Sequence, residues 1–172
     1  NTATPAPAQF LGSLGEGESA QDENLRLGFV IHGLINEPAD VDLYSFEAKA
    51  GTELWFDIDS TSSRLDSVLE LVDANGRVLA RSDNSYAEGQ GTEDRFAAAD
   101  VFVDGLQKTL FYEQDYYSTN VFDAGMRVVL PGAVGNTTTY HLRVRSSSDD
   151  INVVSGGLTL GTYELQLRLS EI

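Results

Sequence analysis

From residue 28 onward, apolar and polar residues alternate with a period of two, which in an extended chain sends neighbours to opposite faces. Residues 28–35 (GFVIHGLI) and 41–48 (VDLYSFEA) are the first strands this pattern predicts. In 52–59 (TELWFDID), Leu54, Phe56 and Ile58 share one face and Glu53, Trp55, Asp57 and Asp59 the other. The second face is expected to meet water. Residues 67–82 (SVLELVDANGRVLARS) read as a hairpin about Ala74-Asn75-Gly76, because Asn and Gly tolerate the positive φ of tight loops. Near the C-terminus, Tyr140, Leu142 and Val144 oppose His141, Arg143 and Arg145. Tyr163, Leu165, Leu167 and Leu169 likewise oppose Glu164, Gln166 and Arg168. Half-buried strands at this density, with turn residues between them, predict an all-β fold, an antiparallel β-sandwich.

Two stretches interrupt the alternation. Residues 1–9 (NTATPAPAQ) are small, polar and Pro-rich and read as a linker, with a single domain over 10–172. Residues 84–136 form a long, less regular insertion between the hairpin and the final strands. Excursions of that length usually carry function or structure of their own. This one holds FYEQDYYSTNVF at 111–122, a strand candidate AGMRVVLPG at 124–132, and a short helix candidate TEDRFAAADVF at 92–102.

At 172 residues, one domain with an adequate core is expected without staples. The absence of cysteine excludes disulfides, thiol catalysis and thiolate zinc together. With 27 acids against 11 bases, a formal net charge of −16 argues against nucleic acid and anionic membranes as partners. No run approaches the ~20 apolar residues of a membrane helix. The chain opens at Asn1 without a cleavable signal, so it reads as part of a larger polypeptide.

The segments ADVDLYSFEAKAGTELWFDID, LDSVLELVDANGRVLARSDN, TYHLRVRS and GTYELQLRL together resemble the bacterial pre-peptidase C-terminal domain family. The matching positions are Asp40, Asp42, Tyr44, Phe46, Ala50, Gly51, Leu65, Asp66, Leu69, Leu71, Asp73, Gly76 and Asp83. The insertion and the closing phrases are similar to versions in large planctomycete-type surface proteins. The resemblance implies a jelly-roll-like, collagen-binding-domain-like β-sandwich that is not an enzyme. It would be an extracellular or cell-surface accessory module, acting in adhesion or substrate targeting on a protein or polysaccharide. It also implies structural calcium, held by the paired acids Asp40 and Asp42 and by a Glu/Asn-rich segment before the first strand. Here that segment offers Glu16 and Glu18.

The residues themselves leave alternatives open. Asp40 and Asp42, two apart at the mouth of a strand, suit a cation that wants six to eight oxygens, or they are solvated loop acids. Asp57, Asp59, Asp66 and Asp83 fall near strand ends in neighbouring segments, either as a second metal grouping or with Asp66 holding a turn. A glycosidase needs two acids facing each other across a cleft, and alternating strand acids do not supply one. His32 and His141 lie far apart, no G-x-S-x-G elbow appears, and both histidines read as structural or surface residues. In the insertion, Tyr112, Tyr116 and Tyr117, with Phe111 and Phe122, would make a stacking platform for sugar rings in a carbohydrate-binding, lectin-like alternative, or a satellite core.

Overall fold

A computed structural model describes residues 7–15, 25–60, 62, 64–83, 101–103, 111–112 and 122–169. Its strands are β1 (Gln9–Leu14), β2 (Leu25–Arg26), β3 (Gly28–Ile35), β4 (Val41–Lys49), β5 (Glu53–Ser60) and β6 (Ser67–Val72). They continue with β7 (Val78–Ser82), β8 (Val101–Val103), β9 (Phe111–Tyr112), β10 (Gly125–Val129), β11 (Thr137–Ser146) and β12 (Gly161–Leu169). Two sheets result: sheet A in the order β2-β1-β4-β11-β6-β7-β8, and sheet B in the order β3-β12-β5-β10-β9.

Successive strands alternate between the sheets from β3 through β6 and again from β10 through β12, as in a jelly roll. The alternation written in the sequence aims the apolar sides of β5, β11 and β12 inward. Leu54, Phe56 and Ile58 from β5, Leu142 and Val144 from β11, and Leu165 and Leu167 from β12 all join one core. Phe46 stacks on Tyr140 with ring centroids 5.7 Å apart, tying β4 to β11. At about 25 cal/mol per Å² of apolar surface removed from water, this layer supplies most of the drive to fold.

Several expectations change. The sheets are not wholly antiparallel, because β1 runs parallel to both β2 and β4. Gln9, counted with the linker, is the first residue of β1. The excursion at 84–136 supplies β8 to sheet A and β9 and β10 to sheet B. Of the helix candidate at 92–102, the described end lies in strand β8, and the rest falls outside the described residues. In the β6–β7 turn only Gly76 takes positive φ, at 80°; no residue other than glycine does so among those described. There the Asp73 carboxylate accepts from the Asn75 and Arg77 amides at 2.8 and 2.9 Å, so aspartate and glycine share the work assigned to Asn-Gly. Finally, β6 is buried on both faces. Val68, Glu70 and Val72 lie on its outer side and are as enclosed as Leu69 and Leu71 on the inner.

Candidate functional site

The β3–β4 turn carries the paired acids. Asp40 closes it: its amide donates to the Glu37 carbonyl at 2.9 Å, and its carboxylate accepts from the Asn36 amide at 3.1 Å and the Val41 amide at 3.0 Å. An aspartate that satisfies nearby backbone donors in this way fixes a turn. Asp42 opens β4 on the same side as Tyr44 and Phe46, at the end of the core. Its Oδ2 accepts the Tyr163 hydroxyl at 2.6 Å. Tyr163 has one proton to give, so the Tyr44 hydroxyl 2.7 Å away is the donor in their contact. The relay Tyr44–Tyr163–Asp42 therefore crosses the sandwich from β4 in sheet A to β12 in sheet B and back.

Burial raises the Asp42 carboxyl above the usual range, the Tyr163 hydrogen bond lowers it, and the Asp40 charge raises it again; the net shift is upward. Burial first, then its hydrogen bonds to Asp42 and Tyr44, drives the Tyr163 phenol far above its ordinary value. The relay depends on a glycine. Gly33 is the register partner of Tyr163 on β3, and a Cβ there would lie 2.1 Å from the tyrosine Cζ.

As a calcium site these residues fit in part. Asp40 spends both carboxylate oxygens on backbone amides, and Asp42 spends one on Tyr163. Asp42 Oδ1 has no partner among the described residues. Glu16 and Glu18 lie outside the described residues. Among the described residues, no group of three or more His, Asp or Glu side chains is placed to hold a metal. The described donors thus amount to two carboxylates, well short of the six to eight oxygens calcium takes.

The second acidic grouping is rearranged. Asp66 lies near Asp83 and also near Asp123, which the sequence reading did not include. They meet where the β5–β6 loop, the end of β7 and the approach to β10 converge. Two buried serines tie that corner together, with Ser67 and Ser82 hydroxyls accepting the amides of Ala124 at 3.1 Å and Gly125 at 3.2 Å. Asp66 was expected to hold a turn, but its Oδ1 is buried with no hydrogen-bond partner. Burial, and then the charges of Asp83 and Asp123, push its carboxyl up to about 6. Asp57 does not face water as expected; it is buried on the outer side of β5, in register with Gly125 and Gln166.

Of the aromatic platform, Tyr112 lies on β9 and Phe111 beside it, while Tyr116 and Tyr117 fall outside the described residues. Phe122 is exposed. Register aligns Tyr112 with Arg127, Arg127 with Trp55, and Trp55 with Arg168, one row across four strands of sheet B. The Arg127 and Arg168 guanidinium carbons stand 5.1 and 5.6 Å from the Trp55 ring centroid, within cation–π range. The histidines sit on opposite sheets: His32 is exposed, 3.6 Å from Glu164, and His141 lies on the outer side of β11.

One cluster had little warning in the sequence. Glu70, wholly buried, receives Nε of Arg81 at 2.7 Å, Nε of Arg143 at 2.5 Å and Nη2 of Arg145 at 2.9 Å. Burial alone would raise its carboxyl, but the hydrogen bonds and charges of Arg145 and Arg143 outweigh that and hold it below the usual range. The only hint was the alternation of Arg143 with Arg145, which looked like an ordinary wet face.

Several solved structures resemble the chain across its length, three of them as follows. The pre-peptidase C-terminal domain of collagenase from Bacillus anthracis shares 15% identity over 96% of this chain and 99% of that one, with a TM-score of 0.46. PliG of Aeromonas hydrophila, a periplasmic inhibitor of g-type lysozyme, shares 13% over 95% and 100%, with a TM-score of 0.42. PliG of Salmonella Typhimurium shares 15% over 95% and 100%, with a TM-score of 0.40. No curated protein matches. The sequence pattern of the bacterial pre-peptidase C-terminal domain matches residues 40–171, from the β3–β4 turn through the last strand. The chain belongs to the bacterial pre-peptidase C-terminal domain family.

Proposed function

We propose that this domain is a non-catalytic accessory module of a larger secreted or cell-surface protein. It acts in adhesion or substrate targeting on an extracellular protein or polysaccharide. The observation that carries this reading is the family match over residues 40–171, which takes in nearly the whole sandwich. The local chemistry is in keeping with it: the Asp40 carboxylate holds a turn and Asp42 receives a tyrosine. Calcium, in this reading, bridges Asp42 and the turn at Asp40 to Glu16 and Glu18. It would be structural, clamping the N-terminal segment to the sandwich. Thermal melting with chelator and then with millimolar calcium tests this. A midpoint that rises with calcium in the wild type but not in Asp42→Asn supports the clamp; identical midpoints remove it.

One observation favours a second reading as a carbohydrate-binding module. The row Tyr112, Arg127, Trp55 and Arg168 places aromatic and cationic residues side by side on sheet B. A glycan array with the wild type and Tyr112→Ala decides it, and a blank array ends the idea.

A further inference from the structure

Arginine gathers on the outer face of sheet A in an otherwise acidic chain. Register sets Arg143, Glu70 and Arg81 side by side across β11, β6 and β7, and Arg145 lies two residues along β11 on the same face. Their side chains are 14%, 0%, 11% and 0% exposed, respectively. Among the described residues one carboxylate faces three guanidinium groups, an excess of two positive charges where little water reaches. Desolvated charge without a counterion is costly.

The hydrogen bonds show where the excess points. Arg145 is spent: beyond Glu70 it donates to the carbonyls of Ser146 and Ile151. Arg81 and Arg143 each touch Glu70 through Nε and have no other partner among the described residues. A guanidinium has five N–H donors, so each keeps both terminal amino groups unused by the described residues. Beside them on β11, His141 Nδ1 is also buried without a hydrogen-bond partner. Two planar forks held by one carboxylate between them are shaped for a planar or tetrahedral oxyanion, which each can grip through two parallel bonds.

We propose that the terminal amino groups of Arg81 and Arg143 form an oxyanion-binding site on the outer face of sheet A, taking a carboxylate or sulfate group. Glu70 and Arg145 are positioning residues that lock the two forks in place. The site is separate from the Asp40–Asp42 turn and goes beyond the accessory reading, which stands or falls independently of it.

Melting midpoints are measured against rising sodium sulfate at constant ionic strength for wild type, Arg81→Gln, Arg143→Gln and Arg77→Gln. Arg77, exposed in the β6–β7 turn, controls for loss of one charge. The expected result is a saturable rise in wild type and Arg77→Gln, shifted to about tenfold higher sulfate in the other two. Curves that superimpose for all four proteins overturn the proposal, because sulfate also stabilises proteins generally by exclusion. Should Arg81→Gln or Arg143→Gln not fold, side-chain NMR of the wild type replaces them. The Arg81 and Arg143 signals must move on titration, and static signals overturn the site. Galacturonate and polygalacturonate, compared at equal carboxylate concentration, separate the sources. Tighter binding of the polymer places the oxyanion on a polysaccharide, equal binding identifies a free anion, and no response to sulfate or either uronate overturns the site.

Discussion

Tyr163 and Asp42 meet hydroxyl to carboxylate at 2.6 Å, one from β12 in sheet B and the other from the mouth of β4 in sheet A. Removing the hydroxyl leaves a half-buried carboxylate without its donor and the Tyr44 hydroxyl without its acceptor. Tyr163→Phe is therefore expected to cost about 2–4 kcal/mol in denaturant unfolding, the sum of two hydrogen bonds of which one is charged. It should also raise the Asp42 carboxyl further, because the bond from Tyr163 is what lowers it. An unfolding free energy equal to wild type would show that the two sheets do not rely on this contact.

Gly33 and Tyr163 should behave as one unit. Gly33→Ala drives a methyl into the tyrosine ring, and its destabilisation should shrink by about 1–3 kcal/mol in a Tyr163→Leu background, where the ring is gone. Additive effects of the two substitutions would mean that the strain is relieved elsewhere.

Glu70→Gln strips the shared partner from three arginines, one of them fully buried. A loss of about 3–5 kcal/mol is expected, the usual consequence of abandoning buried charge. Glu53→Gln breaks the partly exposed pair with Arg127, 2.8 Å apart, and should cost less than about 1 kcal/mol. Comparable losses in urea melts would contradict the difference in burial.

Asp66 makes a prediction about pH. Its folded carboxyl titrates at about 6, above the ordinary 3.8, so the folded state holds this proton more tightly than the unfolded chain. Stability from this group is complete below the unfolded value and is lost as pH rises through about 6. Asp66→Asn should flatten that part of the profile and gain about 1 kcal/mol at pH 8, a figure discounted for the half-exposed site. A variant profile parallel to wild type between pH 4 and 7 would remove Asp66 as the cause.

Most of the sandwich was legible because its strands bury one side only. Leu54, Phe56 and Ile58, or Leu165 and Leu167, announce an inner face by spacing alone. β6 defeats that logic: with both sides enclosed, Glu70 between Leu69 and Leu71 looks like any outward carboxylate. β1 was unreadable for a different reason. Its Gly12 and Ser13 break the alternation, and its parallel pairing with β4 depends on contacts distant in sequence. Asp40 and Asp42 were found as a pair, but only the fold reveals that one closes a turn and the other answers a tyrosine 121 positions away. Asp123 escaped notice because no local pattern links it to Asp66 or Asp83.

The strand order carries a consequence for biosynthesis. β11 lies between β4 and β6 in sheet A, and β12 between β3 and β5 in sheet B. Until those last two strands leave the ribosome, the nascent chain holds only fragments: β2-β1-β4, β6-β7-β8 and β5-β10-β9, with β3 alone. Both seams are zipped from the C-terminal side, by contacts of long sequence separation that form slowly. A chain ending between β11 and β12 would hold every strand of sheet A but leave β3 and β5 of sheet B without the neighbour they share, an open edge on each exposed to neighbouring chains.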